Sequence, residues 1–563
     1  MEALDWLVIG VFFLALIGII VWVVRQKQND SADYFLGGRD ATWLAIGASI
    51  FASNIGSEHL IGLAGAGASS GMAMAHWEIQ GWMILILGWV FVPFYSRSMV
   101  YTMPEFLERR YNPQSRTILS VISLVSYVLT KVAVTVYAGG LVFQQVFGIK
   151  ELWGIDFFWI AAIGLVVLTA LYTIFGGMKS VLYTSVLQTP ILLLGSLIIL
   201  VLGFKELGGW DEMMRVCGAV TVNDYGDTMT NLIRSNDDAN FPWLGALIGS
   251  AIIGFWYWCT DQFIVQRVLS GKNEKEARRG TIFGAYLKLL PVFLFLIPGM
   301  IAFALHQKYI GAGGEGFLPM LANGTANADA AFPTLVAKLL PAGVKGLVVC
   351  GILAALMSSL ASLFNSSAML FTIDFYKRFR PETPEKKLVG IGQIATVVIV
   401  ILGILWIPIM RSVGDVLYTY LQDVQSVLAP GIAAAFLLGI CWKRTSAQGG
   451  MWGLIAGMII GLTRLGAKVY YSNAGEVADS TFKYLFYDMN WLFFCGWMFL
   501  FCIIVVIVVS LATEAPTAEK IQGLVFGTAT KEQKAATRAS WDHWDIIHTV
   551  IILAITGAFY WYF

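Results

Sequence analysis

The stretch Ala45-Ile-Gly-Ala-Ser-Ile-Phe-Ala-Ser-Asn-Ile-Gly-Ser-Glu-His-Leu-Ile-Gly-Leu-Ala-Gly-Ala-Gly67 decides the fold. It is apolar enough to lie in a hydrocarbon core, yet Asn54, Glu58 and His59 stand at its middle beside Gly56, Gly62, Gly65 and Gly67. Ionisable side chains inside a membrane are costly and point to function. Glycine lowers the cost of leaving helical geometry, so the run predicts a helix broken within the membrane. A break frees main-chain carbonyls, which persist at that depth only where they face a cavity or a bound ion. Close packing of small-residue helices is the competing reading for the glycines; it does not account for Glu58 and His59.

The rest of the chain has the composition such a helix needs. Of 563 residues, 58% are hydrophobic and 13% charged, with a mean hydropathy of +0.72. Soluble domains carry about 25% charged residues, so a multidomain soluble protein is excluded. The 37 basic and 36 acidic residues leave a net charge of +1, too little for a field that attracts nucleic acid. The six cysteines (Cys217, Cys259, Cys350, Cys441, Cys495 and Cys502) show no paired spacing, and neither disulfides nor a metal cluster is expected.

A helical crossing takes about 20 residues. Apolar windows fall at about 6–24, 41–70, 77–98, 117–147, 155–175, 181–204, 242–268, 281–305, 343–376, 387–409, 414–440, 450–471, 490–512 and 547–563, which predicts an all-α integral membrane protein of fourteen spans. The first window follows Glu2 and Asp5 and precedes Arg25 and Lys27; signal peptides have the opposite polarity, and it reads as a retained helix. In or at the edges of loops after odd-numbered spans lie 24 of the 37 Lys and Arg residues, against 8 on the other side. Positive charge marks the cytoplasm, so both termini are expected outside the cell membrane.

Spans two to six and seven to eleven are two runs of five. An odd number of crossings makes the second run enter from the opposite side, which is an inverted repeat, the usual design of secondary transporters. The chain then divides into a first flanking helix and cytoplasmic loop (1–40), repeat one (41–205), an extracellular loop (206–241), repeat two (242–440) and C-terminal helices with a cytoplasmic loop (441–563).

Other spans are also polar where they should be oily. Span nine carries Ala355, Ser358, Ser359, Ser362 and Asn365. Uncharged hydroxyl and carbonyl oxygens suit a weakly held monovalent cation, whereas Mg2+ or Ca2+ would want carboxylates; sodium fits best, and serine as helix packing is the alternative. Lys288, in Ala285-Tyr-Leu-Lys-Leu-Leu-Pro291, needs an acceptor if it is deep. Phe255-Trp-Tyr-Trp-Cys-Thr-Asp-Gln262 reads either as a functional aromatic cluster or as an interfacial belt. Tyr418, Gln422 and Gln425 share one helix face, and two buried amides ask for polar partners. Glu78, between Trp77 and Gln80, opens span three, where a solvated interfacial glutamate is the bland reading.

Phe51-Ala-Ser-Asn-Ile-Gly-Ser-Glu-His-Leu-Ile-Gly-Leu-Ala-Gly65, Trp258-Cys-Thr-Asp-Gln-Phe-Ile-Val-Gln-Arg267, Ser358-Ser-Leu-Ala-Ser-Leu-Phe-Asn-Ser366 and Trp442-Lys-Arg444 resemble the sodium/solute symporter family, in particular its sodium/glucose cotransporter branch. The likeness runs through all fourteen spans. It implies a LeuT-like inverted-repeat fold and sodium-coupled uptake of a glucose- or galactose-like hexose by alternating access. It further implies a sodium site of main-chain carbonyls of Ala52, Ile55 and Ala355 with the hydroxyls of Ser358 and Ser359. Sugar contacts fall to His59, Glu78, Lys288 and Gln422, with Gln425 nearby, and Tyr257 becomes the ring under the sugar and the inner gate. Leu63, Trp77 and Tyr418 match the outer gate, and Asn54 matches the residue that supports the sodium-bearing helix.

Four positions depart from the family's pattern. Gly254 and Gly81 stand where polar pocket residues are common, which leaves the identity of the sugar open. Ser185 and Ala361 replace an aspartate and a hydroxyl residue associated with a second sodium, so one sodium per sugar is expected. The alternatives are a symporter for another polar solute such as myo-inositol or sialic acid, or, from another class, an ion channel. No nucleophile with its base, metal-ligand spacing or nucleotide loop suggests an enzyme. Oligomeric state is not legible.

Overall fold

The computed structural model describes residues 1–26, 30–56, 58–321, 324–412, 417–473 and 478–563, with the backbone alone at 129, 130, 145, 409–412, 417–421 and 473. It is built almost wholly of helices; the only strands among the described residues are Glu151–Leu152 and Ile155–Asp156, paired antiparallel as a small hairpin. Peripheral helices turn their oily side chains outward. Leu14 is 70% exposed and Trp497 63%, the reverse of what water would select and what lipid permits. The centre is the span-nine helix, Val344–Met369, buried along nearly its whole length. Asp5, at the start of the first helix Ala3–Val24, accepts hydrogen bonds from the amides of Gly343 (2.7 Å) and Gly346 (2.9 Å). This ties the flanking helix to the start of span nine.

Each of the fourteen windows holds helix among its described residues, yet eleven described stretches are long and apolar enough to cross a membrane. The difference has two causes. Spans five and six run together as Phe157–Leu207, interrupted at Gly177 with φ 53° and ψ −147°. A straight helix of that length would reach about 75 Å, far more than a hydrocarbon core of about 30 Å, so the interruption divides it into two membrane-length halves. Gly177 is required there: its φ is positive, and a Cβ would lie 2.9 Å from Cδ2 of Tyr34. Spans two and four contribute only the shorter apolar helices Trp43–Asn54 and Ala133–Gln144.

Span two is broken where the sequence predicts. Its helix Trp43–Asn54 ends at Ile55 (φ −80°, ψ 106°) and resumes as a π-helical turn, Glu58–Leu63, and an α-helix, Ala64–Ser70. Span seven, read from the sequence as continuous, is broken too. Trp243–Gly254 runs into a π-helical segment, Phe255–Thr260, stops at Asp261 (φ −76°, ψ 128°) and restarts as Gln262–Leu269. Asp261 caps the restarted helix by accepting from the amide of Phe263 at 3.3 Å. The opening helix of each five-span run is thus discontinuous, as expected of two copies of one structural unit.

Candidate ion and solute site

At the break in span two the chain leaves the helix with its last carbonyls turned to span nine. Ser359 Oγ donates to the carbonyl of Ser53 at 2.8 Å and reaches that of Ile55 at 3.2 Å. Ser53 and Ser362 join hydroxyls at 2.6 Å beside it. Gly56 makes this approach feasible, since a Cβ there would lie 2.9 Å from Ser359 Oγ. Ala52 and Ala355 are buried on the two facing helices. The hydroxyl of Ser358, next in the helix, lies 3.2 Å from that of Ser185. Ser362 belongs to the hydroxyl-rich run read in span nine, and its three-residue spacing from Ser359 puts the two on one helix face; its partner Ser53 escaped the sequence reading. Hydroxyls and main-chain carbonyls therefore meet here, the donor set a monovalent cation takes.

The six predicted solute residues converge. His59, Glu78, Tyr257, Lys288, Gln422 and Gln425 all line one cavity, with about 30 Å³ of free space, room for about two waters. Glu78 is 1% exposed, so the reading of it as a solvated interfacial residue fails. Its Oε2 accepts from Lys288 Nζ at 2.6 Å and lies 3.2 Å from His59 Nε2. Asn54 Nδ2 sits 3.4 Å from the same imidazole nitrogen, linking the end of the broken helix to the cluster. His59 Nδ1 and Gln422 Oε1 are buried without hydrogen-bond partners among the described residues. A buried unsatisfied polar atom costs about 1 to 3 kcal/mol, and a polyhydroxylated solute supplies the missing partners. Trp256 and Trp258 are buried, which overturns the interfacial-belt reading of 255–262.

The cavity is closed on one side by Trp77, stacked on Trp491 at 5.4 Å and edge-on to Phe241 at 6.1 Å. Leu63 is fully buried. Tyr418 falls where only the backbone is described, so its expected gate role lies outside the described side chains. Phe241 is fixed by the loop before span seven. Asp238 accepts from the amides of Phe241 (2.7 Å) and Asn240 (2.9 Å) and from Asn223 Nδ2 (2.7 Å), while Arg234 pairs with it at 3.7 Å and donates to the carbonyl of Ser70. Burial pushes the Asp238 carboxyl up, but these donors outweigh it and hold the group below its ordinary range. A depressed carboxyl contributes stability above its unfolded pKa of about 3.9 and loses it as pH falls through the native value. The cover is thus expected to be unchanged between about pH 5 and 8 and to loosen only in stronger acid. Asp238→Ala should mimic the acid state at pH 7, and faster hydrogen exchange at the amides of Asn240 and Phe241 is the measurement that checks it.

Tyr257 lies between the cavity and a second buried charge cluster that the sequence reading missed. Lys131 Nζ, from span four, sits 4.7 Å from the centre of the Tyr257 ring and 2.7 Å from Asp261 Oδ2, and Tyr127 donates to the same carboxylate. Lys131 and Asp261 are both buried. A lone lysine inside an apolar window was the signal; its partner in span seven, 130 residues away, was not visible in the sequence.

Two discontinuous helices, a hydroxyl-and-carbonyl cluster at one break and a polar cavity beside it define a secondary active transporter. A family model described as the sodium:solute symporter family matches residues 34–457, and the chain belongs to that family. It is 37% identical to the mouse (Mus musculus) sodium/myo-inositol cotransporter 2 over 542 residues, covering 94% of this chain and 80% of that protein. It is 35% identical to sodium/glucose cotransporter 4 of Danio rerio over 560 residues, covering 96% and 84%. Among solved structures, a substrate-bound outward-open Na+-coupled sialic acid symporter superposes with a TM-score of 0.72 at 22% identity, covering 92% of this chain and 99% of the other. The chain has the LeuT-like fold and is a multi-pass, sodium-coupled solute symporter, not an enzyme.

Proposed function

We propose that the protein carries a neutral, polyhydroxylated six-membered ring, a hexose such as glucose or galactose or the cyclitol myo-inositol, into the cell with one sodium ion per ring. The observation that carries this reading is the cavity chemistry: its one ammonium, Lys288, is already paired with Glu78 at 2.6 Å, in a lining that also holds the carboxylate of Glu58 and the amides of Gln422 and Gln425. The pair cancels in charge, so an anionic solute finds no uncompensated cation, whereas hydroxyls can both donate to Glu78 and accept from Lys288. The relatives, named for glucose and for myo-inositol, support both rings equally. Each hydrogen bond adds about 1 kcal/mol net, so affinity is modest, while an analogue lacking a hydroxyl strands a buried partner and is rejected more strongly.

In this reading the ion is bound where Ser359 meets the broken helix, by the carbonyls of Ala52, Ile55 and Ala355 and the hydroxyls of Ser358 and Ser359. Sodium fixes the outward-open shape of span two and so completes the solute cavity. The two ligands need not touch; each favours one conformation, and the coupling is reciprocal. The alanine at 361 and the engagement of the Ser185 hydroxyl with Ser358 and with the Val181 carbonyl (2.6 Å) support a single ion. One charge moving through 100 mV yields about 2.3 kcal/mol, and a tenfold sodium gradient adds about 1.4 kcal/mol. Together they sustain accumulation of a few hundredfold. We orient both termini outside, from the distribution of Lys and Arg.

The test is uptake of labelled glucose, galactose, myo-inositol and sialic acid into proteoliposomes with sodium or potassium outside. Saturable, sodium-dependent uptake of at least one neutral ring and none of sialic acid is expected. Uptake of sialic acid alone, or ion flux with no saturable solute uptake, would overturn the reading.

A further inference from the structure

The two pocket positions that are glycine in this chain are treated differently by the fold. A Cβ on Gly81 would lie 2.8 Å from the carbonyl of Ala285 and 3.3 Å from Leu289 Cδ2, so position 81 is packed against span eight and has no side chain to offer a solute. A Cβ on Gly254 would instead lie 2.5 Å from Gln80 Oε1, 2.9 Å from its Cδ and 3.1 Å from its Nε2. The space that a side chain at 254 would take is filled by the amide of Gln80, which reaches across from span three and is 3% exposed.

Gln80 is held in one orientation. Its Nε2 donates to the carbonyl of Ser250 at 2.8 Å, one turn before Gly254 on the same helix. That bond uses one of the two N–H groups of the amide and leaves Oε1 as an acceptor at the wall of the cavity that also holds Glu78, Lys288 and Gln422. An acceptor held in one orientation reads one hydroxyl proton. The nearby Lys288 ammonium can only donate, so the two groups ask different things of a ring.

We propose that Gln80 is a specificity-determining residue, accepting a hydrogen bond from one ring hydroxyl of the solute, and that Gly254 is the residue that admits it to the pocket. This rests on the reading of the solute as a neutral polyhydroxylated ring. At the hydroxyl that Gln80 reads, an analogue with hydrogen and one with fluorine in its place are both rejected, because fluorine accepts but does not donate. At hydroxyls that meet Lys288, the fluoro analogue is better tolerated.

The experiment measures sodium-driven uptake of the best-transported ring and its single deoxy and deoxyfluoro analogues, in the wild-type protein, Gln80→Ala, Gly254→Ala and the double variant. Gln80→Ala is expected to weaken the parent ring about fivefold to tenfold and to erase discrimination against the deoxy and fluoro analogues at one ring position only. Gly254→Ala should reproduce that pattern by displacing the amide. The double variant should be no worse than Gln80→Ala, since the added methyl then enters vacated space. Equal losses for the parent and every analogue, or penalties that add in the double variant, would overturn the proposal and reduce Gln80 to a packing residue. A wild-type protein that carries no neutral ring overturns the solute reading itself, before any variant is compared.

Discussion

Glu78→Ala is expected to lower uptake by at least about 100-fold, the largest effect of any single substitution in the cavity. Glu78 is the shared partner of Lys288 and His59, and its removal leaves an ammonium 4% exposed without its ion-pair partner. Breaking a buried pair by removing one member costs about 3 to 5 kcal/mol, more than the pair itself contributes. Two consequences separate this from simple misfolding. Removing both members, Glu78→Ala with Lys288→Ala, should restore thermal stability towards the wild-type value because no charge is stranded. It should not restore uptake, because the solute then loses both its acceptor and its donor. Thermal unfolding in detergent and proteoliposome uptake of the two variants check this; equal recovery of both properties would remove the pair from the solute site.

The second large effect is expected at Gly56, which touches no solute. A valine there places carbon where Ser359 Oγ now approaches to 2.9 Å of the Cβ position, so the hydroxyl is pushed off the Ser53 and Ile55 carbonyls. Half-maximal uptake should then need more than about tenfold more sodium, a loss of about 1.4 kcal/mol in ion binding, with the solute selectivity pattern unchanged. Gly62→Ala, on the far side of the break, serves as the comparison. A sodium titration of uptake in the two variants distinguishes a local effect at the ion site from general damage to the helix.

The broken span two was legible because two signals coincide, clustered glycines and ionisable residues at membrane depth, and both have local physical causes. Span seven was harder. Its only local mark was the helix-capping pattern Thr260-Asp261-Gln262, which the surrounding aromatics and apolar residues disguise as one continuous helix. Which residues meet was legible only in part. The spacing of Gln422 and Gln425 declares a shared face, and the deep Lys288 declares a need for an acceptor. That the acceptor is Glu78, 210 positions earlier, is a property of the packed bundle and of the resemblance, not of any spacing. Lys131 and Asp261 show the limit most clearly: each was visible as a charge, and only folding makes them a pair beneath Tyr257. The count of fourteen spans came from hydropathy, which sees composition but not breaks, whereas the described residues hold eleven membrane-length stretches together with shortened and merged helices.

The account depends on a link between two sites that share no ligand. The direct test is equilibrium binding of the transported ring by the purified protein across a sodium series, with sodium binding across a series of the ring, in the wild-type protein and in Ser359→Ala. In the wild type each ligand should sharpen the affinity of the other by the same factor, as linkage demands. In Ser359→Ala the ring should bind as it does to the sodium-free wild type, whatever the sodium concentration. A Ser359→Ala protein in which sodium still tightens ring binding as strongly as in the wild type would contradict the account, because the coupling would then not pass through the contact between span nine and the broken helix.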